Sequence, residues 1–183
     1  LPDIQKVIAE MGPMPGAKEF LDQLRQDFQV IILSDTFYEF AMPLMNQLNM
    51  PALFCHKLEA NAEGILVNYH LRMPNQKKEA VQRFKELNFK VIAAGDSYND
   101  TSMLLQADQG FLLHAPDNVK REFPQFPALE THAELMTRLR ALVAAGTLAA
   151  AALAAHTAIN LRQLRTPSPD APACTEPVDA KRS

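Results

Sequence analysis

This sequence of 183 residues contains few glycines and few cysteines, and its positive and negative charges are nearly balanced. The six glycines are spaced so that neither G-x-G-x-x-G nor G-x-x-x-x-G-K-[ST] occurs, which excludes the commonest glycine-rich loops that bind nucleotide phosphates. The two cysteines cannot by themselves supply a disulfide framework or a structural zinc site. Eighteen basic and twenty-one acidic residues give a net charge of −3, whereas binding of nucleic-acid phosphates needs a strongly basic surface. We therefore expect no nucleic-acid partner.

Signals for secretion and for membrane crossing are also missing. No basic and apolar signal peptide opens the sequence, so the reducing cytoplasm is the expected compartment. Residues 144–158 are rich in alanine, but alanine gives little transfer free energy, and glycine, threonine and histidine interrupt the stretch. We therefore favour a solvent-facing helix over residues 143–165 rather than a membrane span. Residues 166–183 contain several prolines among small polar residues and are expected to form a disordered tail.

The rest of the chain has the pattern of one α/β domain. Apolar residues make up 48% of the sequence and charged residues 21%, which is typical of a soluble domain with a buried core. Continuous apolar runs predict buried strands, and segments with helical spacing alternate with them. This alternation is typical of a parallel sheet with right-handed crossovers. The predicted strands cover residues 29–33, 90–94 and 110–114, with weaker strand patterns at 52–55 and 64–71, and helices at 4–11, 17–28, 39–48, 76–87 and 101–107.

Polar residues follow the first predicted strand directly. The carboxyl ends of parallel strands meet at one edge of a sheet, where backbone amides and helix N-termini favour ligand binding. Ser34, Asp35 and Thr36 offer a hydroxyl group and two backbone N–H groups at this edge, a set suited to an anionic oxygen. An ordinary turn explains the same residues equally well, because serine and aspartate are favoured in turns.

Acidic and amide side chains follow a second predicted strand. Asp96, Asn99 and Asp100 lie within five residues, and such oxygen ligands suit Mg²⁺, which takes one or two carboxylates from a protein. The alternative is a turn at Gly95 and Asp96, followed by a helix that Ser97 or Asn99 caps and that Asp100 stabilises through the helix dipole. The local sequence favours neither interpretation.

Two lysines begin the helix predicted at residues 76–87. A cation in the first turn of a helix interacts unfavourably with the helix dipole, at a cost of about 0.3–1 kcal/mol, so a lysine there favours an anionic partner. We assign Lys77 to the candidate site and Lys78 to the solvent. Cys55 and His56 are a poor catalytic pair, because neighbours on a strand point to opposite faces, and the remaining histidines lack the spacing of metal ligands.

In this order, the hydroxyl of Ser34, the amine of Lys77 and the G-D-x-x-N-D sequence at residues 95–100 resemble three motifs of the haloacid dehalogenase (HAD) superfamily. Residues 31–40, 92–100, 114–116 and 121–127 are also similar to phosphoserine phosphatases of that superfamily, and the similarity extends over about residues 1–140. It implies a HAD-like Rossmannoid fold of three layers with a parallel sheet. Residues 1–12 would end a helical cap, and residues 13–142 would form a partial catalytic core.

The resemblance also implies a reaction. It implies Mg²⁺-dependent hydrolysis of O-phosphoserine through an aspartyl-phosphate intermediate. It is also compatible with transfer of the phosphoryl group to homoserine. Such chemistry relies on in-line positioning and on neutralisation of the phosphoryl oxygens. By resemblance, Ser34 and the Asp35 backbone would hold the phosphate, Lys77 would neutralise it, Asp96 would bind Mg²⁺, Asn99 would contact substrate, and Asp100 would support the ligands around the metal.

One motif of the superfamily is missing from this sequence. Its members attack phosphorus with the first aspartate of a D-x-[DE] motif, which occurs nowhere here, and Asp35 is followed two positions later by Phe37. The first residue is Leu1 rather than methionine. We therefore expect a fragment whose fold is incomplete at the N-terminus, which binds phosphate or a cation weakly and turns over little or no substrate.

Two other interpretations remain open at this point. The first is a non-catalytic phosphate-binding or protein-interaction domain. The second is a receiver of the response-regulator type, but receivers place the lysine after the acidic residues, whereas Lys77 precedes Asp96. The sequence indicates neither the oligomeric state nor the preferred phosphomonoester.

Overall fold

A computed structural model describes residues 1–145 and the backbone of residues 151–155. Within these residues, helices and strands alternate along the chain, and a 3₁₀ turn covers Tyr98–Asp100. The helices are α1 (Pro2–Met11), α2 (Ala17–Asp27), α3 (Tyr38–Gln47), α4 (Gln76–Glu86), α5 (Thr101–Gln106), α6 (Asp117–Glu122) and α7 (His132–Ala144). The strands are β1 (Gln29–Phe37), β2 (Ala52–Ala60), β3 (Leu66–His70), β4 (Lys90–Gly95), β5 (Gln109–Leu113), β6 (Ala128–Leu129) and β7 (Ala151–Ala155).

The strands form one sheet in the order β3-β2-β1-β7-β4-β5-β6. Its neighbouring strands run parallel, except that β3 pairs antiparallel with β2. Parallel strands need crossover connections, and helices supply most of them here. The predicted α/β class with a parallel sheet is therefore confirmed.

Helices cover both faces of the sheet. Successive residues of a strand point to opposite faces, so Ile32 belongs to one buried apolar cluster and Leu33 to another. The first cluster joins the sheet to α1, α2, α3 and α7, and the second joins it to α4, α5 and α6. This arrangement is the predicted fold of three layers. Helix α1 buries Ile8 in the first cluster, and the assignment of residues 1–12 to a cap stays a prediction.

Helices α6 and α7 and the short strand β6 were not predicted, and three predicted segments differ from the expectations. Strand β1 continues to Phe37, and β2 extends to Ala60 because its second half pairs with β3. Residues 151–155 form a strand between β1 and β4, although alanine favours a helix over residues 143–165. Pairing on both sides satisfies the backbone of β7 and outweighs helix propensity. The other residues of that predicted helix beyond residue 145, and the predicted tail at 166–183, lie outside the described residues.

Helices α1 to α7 lie within the part of the chain that the structure describes. None of the helices found there has both the length and the apolar composition that a membrane span requires.

Two histidines pack together where α7 meets the sheet. The His132 ring stacks on Phe20 with 4.7 Å between ring centroids, and the His114 ring lies 5.3 Å away, nearly perpendicular to it. Burial, with a smaller contribution from the charge of His114, holds the pKa of His132 below its ordinary value of 6.5. The folded protein therefore disfavours the protonated form of His132.

We expect the stability of the fold to depend on this histidine below pH 6.5. Since the unfolded chain binds the proton more readily, stability should be constant above pH 6.5 and fall from there towards the lower pKa of the folded state. The free energy of unfolding is measured by urea denaturation for His132→Phe and for the unmodified protein. As the pH falls through this window, the unmodified protein should lose stability that His132→Phe keeps. The exposed His70 provides the control substitution His70→Phe. If the difference in free energy of unfolding between His132→Phe and the unmodified protein did not change with pH, the lowered pKa of His132 would be contradicted.

Candidate active site

Strand β1 leaves its regular pairing at the residues that the sequence selects for a phosphate site. Leu33 lies opposite Phe54 and Phe37 opposite His56, so β1 advances four residues where β2 advances two. Extra residues of this kind disrupt the ladder locally and redirect side chains, often beside active sites. In the irregular segment, the backbone N–H of Thr36 donates to the Ser34 Oγ at 3.3 Å. Ser34 is buried there, whereas the side chain of Asp35 is 43% exposed.

Lys77 is held between two carboxylates. Its Nζ lies 2.7 Å from Asp35 Oδ2 and 2.9 Å from Asp100 Oδ1, and its side chain is only 4% exposed. A buried ammonium group needs such partners, because the loss of its hydration is otherwise uncompensated. Lys78 is exposed. The structure thus places Lys77 in contact with the acidic groups and Lys78 at the surface.

Gln76 ties the beginning of α4 to the irregular segment of β1. Its buried amide Nε2 donates to the backbone oxygen of Ser34 and, at 3.2 Å, to Asp35 Oδ1. Lys77 contacts the other oxygen of Asp35, so both carboxylate oxygens are engaged. Sequence reasoning missed Gln76, and its only signal was its position beside Lys77 at the start of a helix.

The loop after β4 is organised around Asp100. Its Oδ2 accepts hydrogen bonds from the backbone N–H groups of Asp96 and Ser97 and from the Ser97 hydroxyl, at 3.0–3.2 Å. Its side chain is fully buried. Gly95 passes so close to this carboxylate that an added Cβ atom would lie 2.5 Å from the Asp100 Cβ. Asp100 therefore holds in place the loop that carries Asp96 and Asn99, while its Oδ1 accepts from Lys77.

A cavity of about 400 Å³ opens at this edge of the sheet. Three of the residues selected from the sequence line it, namely Asp35, Lys77 and Asn99. Ser34 and Asp100 are buried and are linked to the lining residues by the hydrogen bonds of Gln76 and Lys77. The half-buried Asp96 directly follows β4, and its backbone N–H donates to Asp100. The other lining residues are His56, Leu71, Met73, Pro74, Asn75, Gln76, Tyr98, Thr101 and Ser102.

Helix α6 fixes one wall of the cavity through Tyr98. The Tyr98 hydroxyl donates to Glu122 Oε2 at 2.6 Å and accepts from Asn118 Nδ2 at 3.3 Å. The hydrogen bond to Glu122 raises the pKa of Tyr98 above its ordinary value, so the phenol keeps its proton. The ring also packs edge-on against Phe123. These contacts orient the Tyr98 side chain at the wall of the cavity.

The acidic residues fit a divalent cation only as a partial set of ligands. Across residues 1–145, three or more histidine, cysteine, aspartate or glutamate side chains are nowhere arranged to hold a metal ion together. Mg²⁺, however, commonly takes one or two carboxylates and fills its other positions with water and substrate phosphate. The carboxylates of this edge meet that smaller requirement, and the single lysine among them leaves a surplus of negative charge.

The order of elements and the three layers of the fold agree with the superfamily that the sequence motifs resemble. The chain belongs to the haloacid dehalogenase-like hydrolases, whose family model matches residues 3–108. That segment includes Ser34, Asp35, Lys77 and the loop from Asp96 to Asp100. The resemblance to the HAD superfamily is therefore confirmed.

Similar proteins are known in two species of Pseudomonas. Over 135 residues, or 74% of this chain, the chain is 58% identical to the phosphoserine phosphatase ThrH of Pseudomonas aeruginosa strain PAO1. It is also 58% identical over 135 residues to a phosphoserine phosphatase of Pseudomonas syringae pv. tomato strain DC3000. These alignments span 66% and 57% of the two relatives, so less than two thirds of each is represented.

A solved structure shares the fold. The crystal structure of a probable phosphoserine phosphatase from Vibrio cholerae, in its unliganded form, matches with a TM-score of 0.58 and 22% sequence identity. The match covers 74% of this chain and 45% of that one. At this identity the likeness supports the HAD-like architecture of the sheet and its helices.

Proposed function

We propose that this chain forms the phosphate-binding and metal-binding part of a Mg²⁺-dependent phosphomonoester hydrolase whose substrate is O-phosphoserine. The observation that carries the proposal is the buried Lys77, held between Asp35 and Asp100 at the wall of a cavity. The names of the two Pseudomonas relatives support phosphoserine as the substrate. Phosphoryl transfer to homoserine in place of water would use the same site.

The phosphate group would be held by donors from two elements. Lys77 Nζ would neutralise the equatorial oxygens, whose charge must be stabilised during transfer. The Ser34 hydroxyl accepts from the Thr36 amide, so its own proton is available for a phosphate oxygen. The backbone N–H of Asp35 and the side chain of Asn99 would complete the contacts with substrate. When phosphate binds, the contact between Asp35 and Lys77 would weaken. Asp35 could then be hydrated instead, because its side chain is 43% exposed.

The metal would be held at the end of β4. Asp96 would supply a carboxylate ligand, and Asp100 would support the ligands around the metal by holding the backbone of Asp96 and Ser97. When bound, Mg²⁺ supplies charge neutralisation and polarisation of the phosphoryl oxygens. The partial set of carboxylates suits a cation whose other ligands come from substrate and water.

The attacking group is not among the residues of this site. Asp35 is a poor nucleophile, because both of its carboxylate oxygens are engaged by Lys77 and Gln76. An aspartyl-phosphate intermediate of the family type needs the first aspartate of a D-x-[DE] motif, and the sequence contains none. We therefore expect the chain alone to bind phosphate weakly and to turn over little or no substrate.

The test compares this chain with a version extended at its N-terminus by a strand that ends in D-x-E. Release of inorganic phosphate from O-phosphoserine is measured with and without Mg²⁺. We expect release from the extended protein with Mg²⁺ and little from the chain alone. The matched control carries asparagine in place of the first aspartate of the added motif, and it should be inactive. An extended, folded protein that releases no phosphate would refute the proposal, and tight phosphate binding without turnover would favour a non-catalytic binding domain.

Removal of one carboxylate should identify the metal ligand. In the extended protein, Asp96→Asn is expected to raise the Mg²⁺ concentration needed for half-maximal activity sharply, because a neutral amide is a weaker ligand for a hard cation. The measurement is phosphate release as a function of Mg²⁺ concentration. Asp117→Asn is the matched control, since that side chain is 83% exposed at the surface. An unchanged Mg²⁺ requirement in Asp96→Asn would remove this residue from the metal site.

A further inference from the structure

His56 lines the cavity, although sequence patterns assign it no role. It lies in β2 opposite Phe37, beside the irregular segment of β1 that contains Ser34 and Asp35. Its side chain is 8% exposed, and its ring lies 5.9 Å from that of Phe37. Asp35, Gln76 and His56 thus contribute to the same cavity from β1, α4 and β2 respectively.

One nitrogen of the His56 ring has a defined hydrogen bond. The backbone N–H of Arg72 donates to Nδ1 at 3.1 Å. A nitrogen that accepts a hydrogen bond carries no proton, so the neutral ring has its proton on Nε2. Among residues 1–145, no side-chain or backbone acceptor is hydrogen-bonded to this Nε2. His56 therefore has a free N–H donor in a side chain of the cavity wall.

The position of this donor is fixed by its surroundings. The Arg72 guanidinium group lies 4.4 Å from the centroid of the Phe54 ring, which secures the segment whose amide binds His56. Leu71, Met73 and Pro74, the neighbours of Arg72, line the cavity. A donor whose ring is oriented by a second hydrogen bond loses little freedom when a ligand binds.

We propose that His56 is a substrate-binding residue that donates its Nε2–H to an anionic oxygen of the phosphomonoester. The inference rests on the proposed function and extends it, because the donors assigned above come from β1, α4 and the loop after β4, whereas His56 belongs to β2. O-phosphoserine has two groups with such oxygens, the phosphate and the carboxylate. Either group provides the acceptor that the Nε2–H lacks within the described protein.

The first experiment observes His56 directly in the chain of 183 residues. Imidazole ¹⁵N spectra are recorded in the presence of Mg²⁺ during titration with inorganic phosphate, O-phosphoserine and O-phosphoethanolamine, which lacks the carboxylate. The His56 signal, assigned from its absence in His56→Asn, should have the pattern of the Nε2–H tautomer and shift on titration, while the exposed His70 should not respond. A shift with all three ligands assigns the contact to the phosphate, and a shift with O-phosphoserine alone assigns it to the carboxylate.

The second experiment separates binding from a structural role. In His56→Asn, the amide oxygen can accept from the Arg72 N–H as Nδ1 does, but no donor remains at the position of Nε2. In His56→Gln, an amide N–H can occupy the Nε2 position, but the acceptor is lost. We expect His56→Asn to weaken ligand binding about tenfold or more, as is usual for loss of a hydrogen bond to a charged group. His56→Gln should recover part of the affinity, and His70→Ala should change nothing.

The outcomes distinguish this inference from the proposed function. If the unmodified chain binds none of the three anions, the proposed function fails, and the role of His56 fails with it. If the chain binds them but the His56 signal does not move and His56→Asn binds normally, only the role of His56 is refuted. Full affinity in His56→Asn with loss in His56→Gln would show that the ring serves only to hold Arg72.

Discussion

Lys77→Ala is expected to destabilise the protein by about 3–5 kcal/mol, the range observed when one member of a buried ion pair is removed. The substitution leaves the fully buried carboxylate of Asp100 without its cation. Asp35 loses the same partner but can take up water, because its side chain is 43% exposed. Phosphate binding should also be lost, since Lys77 provides the positive charge among the residues that line the cavity.

Two measurements test this expectation. Urea denaturation gives the free energy of unfolding, and titration with inorganic phosphate gives the affinity of the site. Lys78→Ala is the matched control on the same turn of α4, and as an exposed substitution it should change stability by less than about 0.5 kcal/mol. The double variant Lys77→Met with Asp100→Asn should regain part of the stability, because it removes both the buried ammonium group and the buried carboxylate. Equal effects of the Lys77 and Lys78 substitutions would contradict the assignment of Lys77.

Gly95→Ala is expected to damage both the fold and the site. The new Cβ would lie 2.5 Å from the Asp100 Cβ and 2.8 Å from its Oδ2, so Asp100 must move. Overpacking of this kind typically costs about 1–3 kcal/mol. Displacement of Asp100 would in addition weaken its hydrogen bonds to Ser97, to the Asp96 amide and to Lys77. The free energy of unfolding and phosphate affinity should therefore fall together.

Gly110→Ala separates these two effects. There, an added Cβ would lie 2.8 Å from the backbone oxygen of Leu104, so it is also overpacked, but Gly110 lies in β5 away from Asp100 and Lys77. We expect this variant to lose stability while the folded fraction keeps its phosphate affinity. If Gly95→Ala also kept its affinity once folded, the close packing of Gly95 against Asp100 would be irrelevant to the site.

Much of the α/β core was predictable because its strands are short and apolar. The runs at residues 90–94 and 110–114 match β4 and β5 closely, and the run at 29–33 matches the first part of β1, since strands buried on both faces carry few polar residues. Strand β7 was not predictable, because alanine favours a helix and only pairing with β1 and β4 makes this segment extended. The full length of β2 likewise depends on its partner β3.

The candidate site was predictable only in part. Ser34, Lys77 and Asp96 were selected because each follows a strand or begins a helix at the edge where ligands bind. Gln76 and His56 were missed, because a lone glutamine or histidine has no motif. The carboxylate of Asp100 was assigned to the metal environment by resemblance, and the structure adds its contact with Lys77 at 2.9 Å.

Local patterns of apolar and polar residues were enough to predict the layered architecture and to select the edge of the sheet that is proposed as the site. The reason is that the burial pattern of a strand and the position of its end depend on residues that are close together in the sequence. The pairing of Lys77 with Asp35 and Asp100 joins residues 42 and 23 positions apart. The register of β1 against β2, which places His56 beside the irregular segment, also joins distant segments. Such contacts depend on how whole elements pack, and no spacing within one segment of sequence contains that information.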